Sequence, residues 1–205
     1  MSTYLDSASI TELIKVKNRI FSVRKTAFSK YHLDILDNDV LSSLSIWEIV
    51  SQYDTNYDIN FARTKEDAIS NGVLIEQKCS KVDGFERNGN FIEAIFNKKT
   101  NRYPNSKTDK KNTASFQFHA EGDLEYPRYI FAVRRKDTLK LLRLYDISST
   151  GNVNMVQKHL LAEKLKWLSK GKKKHDVIMI SEKVLLEKLL KISKMTINDC
   201  ELLRD

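Results

Sequence analysis

The chain lacks the features that define several large classes of protein. It has two cysteines, Cys79 and Cys200, and neither has a histidine or cysteine near it at zinc-finger spacing, so we expect neither a disulfide framework nor a structural zinc site. No window approaches the run of about twenty apolar residues that a membrane-spanning helix needs. The first residues lack the apolar core and small-residue cleavage site of a secretory signal. These absences predict a soluble protein of the reducing cytoplasm with no membrane role.

Motifs for several common chemistries are also missing. The chain has no glycine-rich phosphate-binding loop, no dinucleotide-binding glycine fingerprint and no serine in a G-x-S-x-G elbow. Cys79 has no histidine that can be assigned to it as a partner for nucleophilic catalysis. The sequence therefore does not predict nucleotide hydrolysis, serine esterase chemistry or cysteine hydrolase chemistry.

Positive charge is what the chain has in excess. Thirty-five Lys and Arg residues outnumber 27 Asp and Glu residues, which gives a formal net charge of +8. Because lysine and arginine neutralise phosphate, this surplus indicates a polyanionic partner. With 205 residues, of which 41% are hydrophobic, the chain can bury one sizeable core, so we expect a single domain over 1–205.

Local patterns divide this domain into three parts. The first, about 1–55, has apolar residues at helical spacing. The second, about 56–150, holds strand-like runs around a mostly irregular segment, 83–113, which "NFIEAIF" interrupts as a short strand or a helical turn. The third, about 151–205, predicts a helix, a last strand over "DVIMIS" and a final helix over "EKVLLEKLLKIS". The order predicts an α/β (α+β) fold in which a single mixed β-sheet is flanked by helices.

The stretch "EDAISNGVLIEQK", residues 66–78, places acids and a lysine around a predicted hairpin. Asn71-Gly72 favours a tight turn, because both positions tolerate positive φ angles. On the strand that follows, Glu76 and Lys78 share one face, and the preceding strand brings Asp67 or Glu66 alongside. Carboxylate oxygens bind hard divalent cations, so the stretch predicts a metal-dependent phosphodiesterase site at one edge of the sheet.

The order Asp67, Glu76 and Lys78 resembles the core motif of the PD-(D/E)xK nuclease superfamily, and the chain is most similar to a type II restriction endonuclease. The resemblance covers about residues 57–147, with Glu66 in place of the proline of the motif. It implies a restriction-endonuclease-like core and a Mg²⁺-dependent endonuclease that hydrolyses double-stranded DNA. The superfamily also includes Holliday junction resolvases and repair nucleases, which remain alternatives.

The resemblance further implies individual roles. Asp67 and Glu76 would be ligands of Mg²⁺, for which Mn²⁺ can substitute, and the backbone carbonyl of Gln77 would be a further ligand. Lys78 would assist the nucleophilic water. In several branches an additional glutamate from an N-terminal helix faces the metal, and Glu48 is the candidate here.

Two alternatives concern the acids and the histidine. Asp58 would replace Asp67 if the strand before the turn is longer than expected, and Glu66 is the other alternative to Asp67. His119, between aromatic residues, is interpreted as a core or edge residue, with DNA contact or proton donation as the other roles.

The partner implied by the resemblance is double-stranded DNA, bound by a homodimer that matches a palindromic site. The alternative is a non-catalytic protein whose basic surface binds nucleic acid. The lysines expected to contact phosphate are Lys107, Lys110, Lys111, Lys172, Lys173 and Lys174. Arginines available for base contact include Arg87, Arg134 and Arg135.

Overall fold

The computed structural model describes residues 7–27, 38–60, 66–94, 114–120, 122, 124–136, 138, 140–169, 177–189, 193–197 and 200–205. The helices are α1 (Ser7–Ala27), α2 (Asn38–Val50), α3 (Thr150–Ser169) and a short α4 (Glu182–Val184), which continues as a π-helical turn (Leu185–Leu189). The strands are β1 (Tyr57–Ile59), β2 (Ala68–Ser70), β3 (Val73–Arg87), β4 (Asn90–Ala94), β5 (Ser115–His119), β6 (Arg128–Arg135), β7 (Leu141–Ile147), β8 (Val177–Ser181), β9 (Ser193–Ile197) and β10 (Cys200–Arg204).

One mixed sheet forms the centre of the fold. Its strand order is β1-β2-β3-β6-β7-β10-β9, and β4 pairs with the far half of β3. The β3–β6 and β7–β10 pairs are parallel, and the other pairs are antiparallel. The predicted fold class, a mixed sheet with flanking helices, is confirmed. A separate two-stranded antiparallel sheet, β5–β8, was not predicted.

The central strand β6 separates two hydrophobic cores. Successive side chains of a strand point to opposite faces, so an apolar run such as "RYIFAVRR" supplies both cores at once. Tyr129, Phe131 and Val133 face a core that α3 and the β5–β8 sheet complete. Ile130 and Ala132 face a core that α1 and α2 complete. The sheet is therefore covered on both faces.

The predicted hairpin is confirmed. Ser70 of β2 pairs with Val73 of β3, and the two residues between them, Asn71 and Gly72, have φ angles of 49° and 78°. A second hairpin follows at Asn88-Gly89, where φ is 52° and 75° and β4 turns back along β3. The short strand expected as one alternative over "NFIEAIF" is present as β4 (Asn90–Ala94). The loop expected between residue 83 and that stretch is wrong, because β3 continues to Arg87. The same Asn-Gly signal is present in the sequence there.

The C-terminal part also differs from expectation. After β8 the helical region extends over Glu182–Val184 and Leu185–Leu189, and the chain then forms two further strands, β9 and β10. Strand β10 is mostly buried because it lies parallel to β7 inside the sheet. Strand β9 pairs with β10 at the edge of the sheet and is mostly exposed. The helix expected over "EKVLLEKLLKIS" is confirmed over residues 182–189, whereas its last residue, Ser193, already belongs to β9. The two strands that follow were not predicted, because "CELLR" becomes a strand through its pairing with β7.

A buried ionic network fixes the hairpin to the rest of the sheet. The Arg128 guanidinium donates to both carboxylate oxygens of Asp146 at 2.8 and 2.6 Å and to Asp54 at 2.6 Å. Asp54 also accepts a hydrogen bond from Ser70 at 2.8 Å, and Tyr53 donates to Asp146 at 2.8 Å. Because Ser70 is the last residue of β2, next to the Asn71-Gly72 turn, this network connects the turn end of the hairpin to β6 and β7.

Among the described helices, none is both long enough and apolar enough to cross a membrane.

Candidate active site

A cleft opens along one side of β3, where β2 stops pairing with it. The β2–β3 register ends with Ala68 opposite Ile75. From Glu76 to Val82, β3 has β6 on one side and no strand on the other within the described ranges. The cleft there has a volume of about 830 Å³ and is lined by residues of α2, of β3 and of β5. It also receives Asp67, Glu76 and Lys78, the three residues of the predicted motif.

Asp67 is held by hydrogen bonds on both its backbone and its side chain. Its N–H donates to the Ile75 carbonyl at 3.1 Å, and its carbonyl accepts from the N–H of Asn60 at 2.9 Å. Its carboxylate accepts from the N–H of Gln77 at 2.8 Å. Within a strand the N–H and C=O of one residue point to the same side. The Gln77 carbonyl is therefore directed to the side of β3 on which the Asp67 carboxylate lies.

Glu76 and Lys78 form an ion pair on one face of β3. Glu76 is 2% exposed, and its Oε1 accepts from Lys78 Nζ. Lys78 Nζ also lies 5.4 Å from the ring centroid of Phe118, an arrangement that favours a cation. A buried carboxylate without a cationic partner costs several kcal/mol, roughly 3–5. Lys78 therefore compensates the charge of the buried Glu76 carboxylate.

The Gln77 side chain points to the opposite face. Its Nε2 donates to Tyr57 Oη, and Tyr57 is itself fully buried. Burial raises the pKa of Tyr57 well above its ordinary value, so its hydroxyl stays protonated. The Gln77 Oε1 has no hydrogen-bond partner among the described residues. The predicted alternation of side chains along β3 is thus present: the Gln77 side chain points away from Glu76 and Lys78. The backbone of Gln77, and not its side chain, contacts Asp67.

The alternative first acids differ in position. Glu66 lines the cleft, and its carboxylate accepts from Asn60 Nδ2 at 3.2 Å. Asp58 lies in β1 opposite Ile69 and is not among the described residues that line the cleft. Burial raises the pKa of Asp58. The geometry thus favours Asp67, with Glu66 beside it, over Asp58.

Glu48 does not reach this cleft. It forms an ion pair with Lys17 and lines a different pocket, together with Ser45 and Cys200. The physical reason is helical geometry: the acid of α2 that lines the cleft is Asp39, and nine residues at about 100° each place Glu48 on the opposite side of the helix. The expectation that Glu48 faces the same site as Asp67 and Glu76 is therefore corrected. Asp39 is the acid that sequence reasoning missed.

The signal for Asp39 was present in α2. The α2 residues that line the cleft include Asp39, Ser42, Ser43 and Ile46, at the i, i+3, i+4, i+7 spacing of one helical stripe. A serine-rich stripe beside an otherwise apolar helix indicates a face turned toward a polar space. The sequence did not reveal which face of α2 meets the hairpin, and that choice decides between Asp39 and Glu48.

Strand β5 supplies the opposite wall of the cleft. Its burial alternates, so Phe116 and Phe118 enter the core while Ser115, Gln117 and His119 line the cleft. The N–H of Ser115 donates to Ser80 Oγ of β3 at 3.2 Å, which fixes the start of β5 against β3. His119 is exposed at the last position of β5, so it is an edge histidine and not a core histidine, which are the two alternatives of its interpretation.

The basic residues expected to bind DNA divide into two groups. The structure describes the side chains of Arg134 and Arg135. Arg134 is 1% exposed and donates to Ser42 Oγ at 3.1 Å. Arg135 forms an ion pair with Glu86 at 2.8 Å. A buried Arg134 does not reach a base, which corrects that assignment. The Arg87 side chain and the lysines that were expected to bind phosphate lie outside the described residues; these lysines are Lys107, Lys110, Lys111, Lys172, Lys173 and Lys174.

The oxygen donors in the cleft fit a magnesium ion. Mg²⁺ is usually bound through one or two carboxylates and completes its shell with waters and substrate phosphates. Asp67 and Glu76 supply two carboxylates, and the Gln77 carbonyl lies on the same side. Across the described ranges, no group of three or more His, Cys, Asp or Glu side chains is arranged to hold a metal ion. A cation here therefore depends on water or phosphate oxygens for its remaining ligands.

Comparison with known proteins adds no family to this picture. No family model matches the chain, and no curated protein matches it at a significant level.

Proposed function

We propose that the protein is a metal-dependent phosphodiesterase that acts on nucleic acid. The observation that carries the proposal is the presence of Asp67, Glu76 and Lys78 in one cleft, at the side of β3 that no neighbouring strand occupies within the described ranges. Two carboxylates and an ammonium are the groups that phosphodiester hydrolysis requires: oxygen ligands for a cation and a positive charge near the phosphate. The net charge of +8 supports a polyanionic substrate.

Within this class, we propose a type II restriction endonuclease of the PD-(D/E)xK superfamily that cuts double-stranded DNA. The support is the residue order Asp67, Glu76 and Lys78 on a β-hairpin, within a mixed sheet covered by helices on both faces. A cytoplasmic location is proposed with it, since Cys79 and Cys200 are free thiols. Resolvases and repair nucleases would use the same groups on differently shaped DNA.

Each residue of the chain has a distinct task in this proposal. Asp67 and Glu76 would hold Mg²⁺ or Mn²⁺, with the Gln77 carbonyl as a further oxygen. When bound, the ion supplies Lewis-acid chemistry that polarises the phosphodiester and a water. Lys78 turns from Glu76 toward the phosphate and orients the attacking water. The hydrogen bond from the Gln77 N–H keeps the Asp67 carboxylate in place before substrate arrives.

We propose that two copies of the chain act together. Three leucines of α3 are exposed at i, i+4 and i+7: Leu161 at 53%, Leu165 at 58% and Leu168 at 54%. An exposed apolar stripe of this spacing pairs with the same stripe of a second helix in two-fold symmetric dimers. Leu165→Glu should convert a dimer to a monomer in sedimentation velocity, and Met195→Glu, at an exposed residue of β9, should not. A wild-type monomer at micromolar concentration would refute the dimer.

A second function is supported by one observation. The Lys78–Glu76 ion pair compensates a buried carboxylate, which is also what a purely structural pair does. In that case the basic surface binds nucleic acid and no bond is cut.

Cleavage of plasmid DNA in Mg²⁺ and in EDTA separates the two functions. Wild type should cut only with Mg²⁺, and Asp67→Asn and Glu76→Gln should lose cutting by at least about a hundredfold, because each removes a ligand charge. DNA binding, measured by fluorescence anisotropy in Ca²⁺, should persist in both variants.

The chain offers a matched control for each variant. Asp58→Asn removes an acid from the neighbouring strand β1, and Glu48→Gln removes one from α2, and neither residue lines the cleft in the described part of the chain. Both controls should cut at close to the wild-type rate. Equal loss in a control and its partner variant, or cutting that persists in EDTA, would reject the proposed site.

A further inference from the structure

Three polar residues of β5, Ser115, Gln117 and His119, line the cleft, and the proposed function gives none of them a role. Phe118 packs beside Lys78, with the ammonium 5.4 Å from its ring centroid, and His119 is the next residue of the strand. Pairing with β8 places His119 opposite Val177 and holds β5 in an extended conformation. His119 is the one histidine among the described residues that line the cleft, and its side chain is exposed.

Hydrolysis of a phosphodiester needs a proton that the motif residues do not supply. Asp67 and Glu76 serve as anionic ligands, and Lys78 is committed to the carboxylate or to the water. The P–O bond that breaks leaves its electron pair on a deoxyribose oxygen, and an alkoxide is a poor leaving group unless it is protonated. Histidine is the side chain that most readily exchanges a proton near neutral pH.

We propose that His119 is the proton donor to the leaving oxygen, an inference that rests on the proposed nuclease function. A water forms the new P–O bond and releases its proton to solvent. The bond from phosphorus to the deoxyribose oxygen breaks, and that oxygen takes its electron pair and a proton from the His119 imidazolium. The exposed imidazole then regains a proton from solvent, so protons and electrons balance over one turnover.

The test replaces the leaving oxygen by sulfur. The ends of the wild-type products show which deoxyribose oxygen leaves, and a duplex with a bridging phosphorothiolate at that oxygen is prepared. A thiolate leaves without prior protonation, since a thiol has a pKa near 8.5, about seven units below that of water. His119→Ala should slow cutting of the ordinary duplex by roughly 10²- to 10⁴-fold, yet cut the phosphorothiolate duplex within a few-fold of wild type.

The controls separate this role from packing and from binding. Gln117→Ala changes the neighbouring polar residue of β5 on the same side and should affect both duplexes equally and slightly. Thermal unfolding should be unchanged in both variants because both side chains are exposed. An equal loss on the two duplexes, or no loss in His119→Ala, would overturn the proton donor while Asp67→Asn still confirms the nuclease. A wild-type protein that cuts neither duplex would overturn both.

Discussion

The Lys78 ammonium forms an ion pair with Glu76, so it should compete with the metal ion that we propose Glu76 binds. The ion pair joins Lys78 Nζ to Glu76 Oε1, with the lysine side chain 16% exposed and the glutamate side chain 3% exposed. Metal binding must displace or repel the ammonium. Lys78→Met, which keeps the length of the side chain and removes its charge, should therefore bind Mn²⁺ more tightly than wild type and cut DNA far more slowly.

The expected size follows from the charges and their burial. Two unit charges about 4 Å apart interact by about 4 kcal/mol at an effective dielectric constant of 20. The lysine is partly exposed and can turn toward solvent, which leaves less than half of that, about 1.4–2 kcal/mol, as the gain in metal binding. This corresponds to an increase in Mn²⁺ affinity of roughly 10- to 30-fold.

Titration calorimetry with Mn²⁺ measures the affinity directly and does not depend on cleavage. Thermal unfolding with and without Mn²⁺ gives a second readout. Removing one partner of a buried pair costs about 3–5 kcal/mol, so Lys78→Met should be less stable without metal, and Mn²⁺ should restore more stability to it than to wild type.

Lys81→Met is the matched control, because it removes one positive charge from the same strand and cleft but leaves the Lys78–Glu76 pair intact. It should change Mn²⁺ affinity less than Lys78→Met does. A folded Lys78→Met protein with wild-type or weaker Mn²⁺ affinity would refute the competition, and full DNA cleavage by it would show that Lys78 has only a structural role.

Three further predictions concern the metal and the buried network. Ca²⁺ should support DNA binding in anisotropy without cutting, and later addition of Mg²⁺ should start cleavage; cutting in Ca²⁺ alone would contradict the coordination argument. Asp146→Asn should lower the free energy of unfolding by about 3–5 kcal/mol in urea, because it leaves the buried Arg128 guanidinium without its bidentate partner, and a loss below about 1 kcal/mol would show that the pair adds little. Burial opposes ionisation of Asp54, but hydrogen bonds from Arg128 and Ser70 outweigh it and lower its pKa. The stability that this carboxylate adds is thus present above about pH 4 and lost as the pH falls further, so Asp54→Asn should flatten the acid side of the stability profile.

Local chemistry determined the hairpin and the polarity of its faces. Asn71 and Gly72 tolerate positive φ angles, so the turn, and with it the alternation of Glu76, Gln77 and Lys78, follows from neighbouring residues alone. The mixed sheet with helices on its faces was also predictable, because β6 reads as a continuous apolar run, which requires cover on both sides. The second Asn-Gly turn carried the same signal and was missed because polar residues surround it.

Only the tertiary structure decided which residues share the cleft. Asp39 and Glu48 are both acids of α2, and the local sequence does not distinguish which of them faces the cleft. The packing of α2 against the sheet turns Asp39 toward β3 and Glu48 toward Lys17. His119 likewise lines the cleft as part of β5, which pairs with β8 more than fifty residues away in sequence. Hydrogen bonds within a turn depend on adjacent residues, whereas the orientation of a helix face depends on long-range packing that no local pattern encodes.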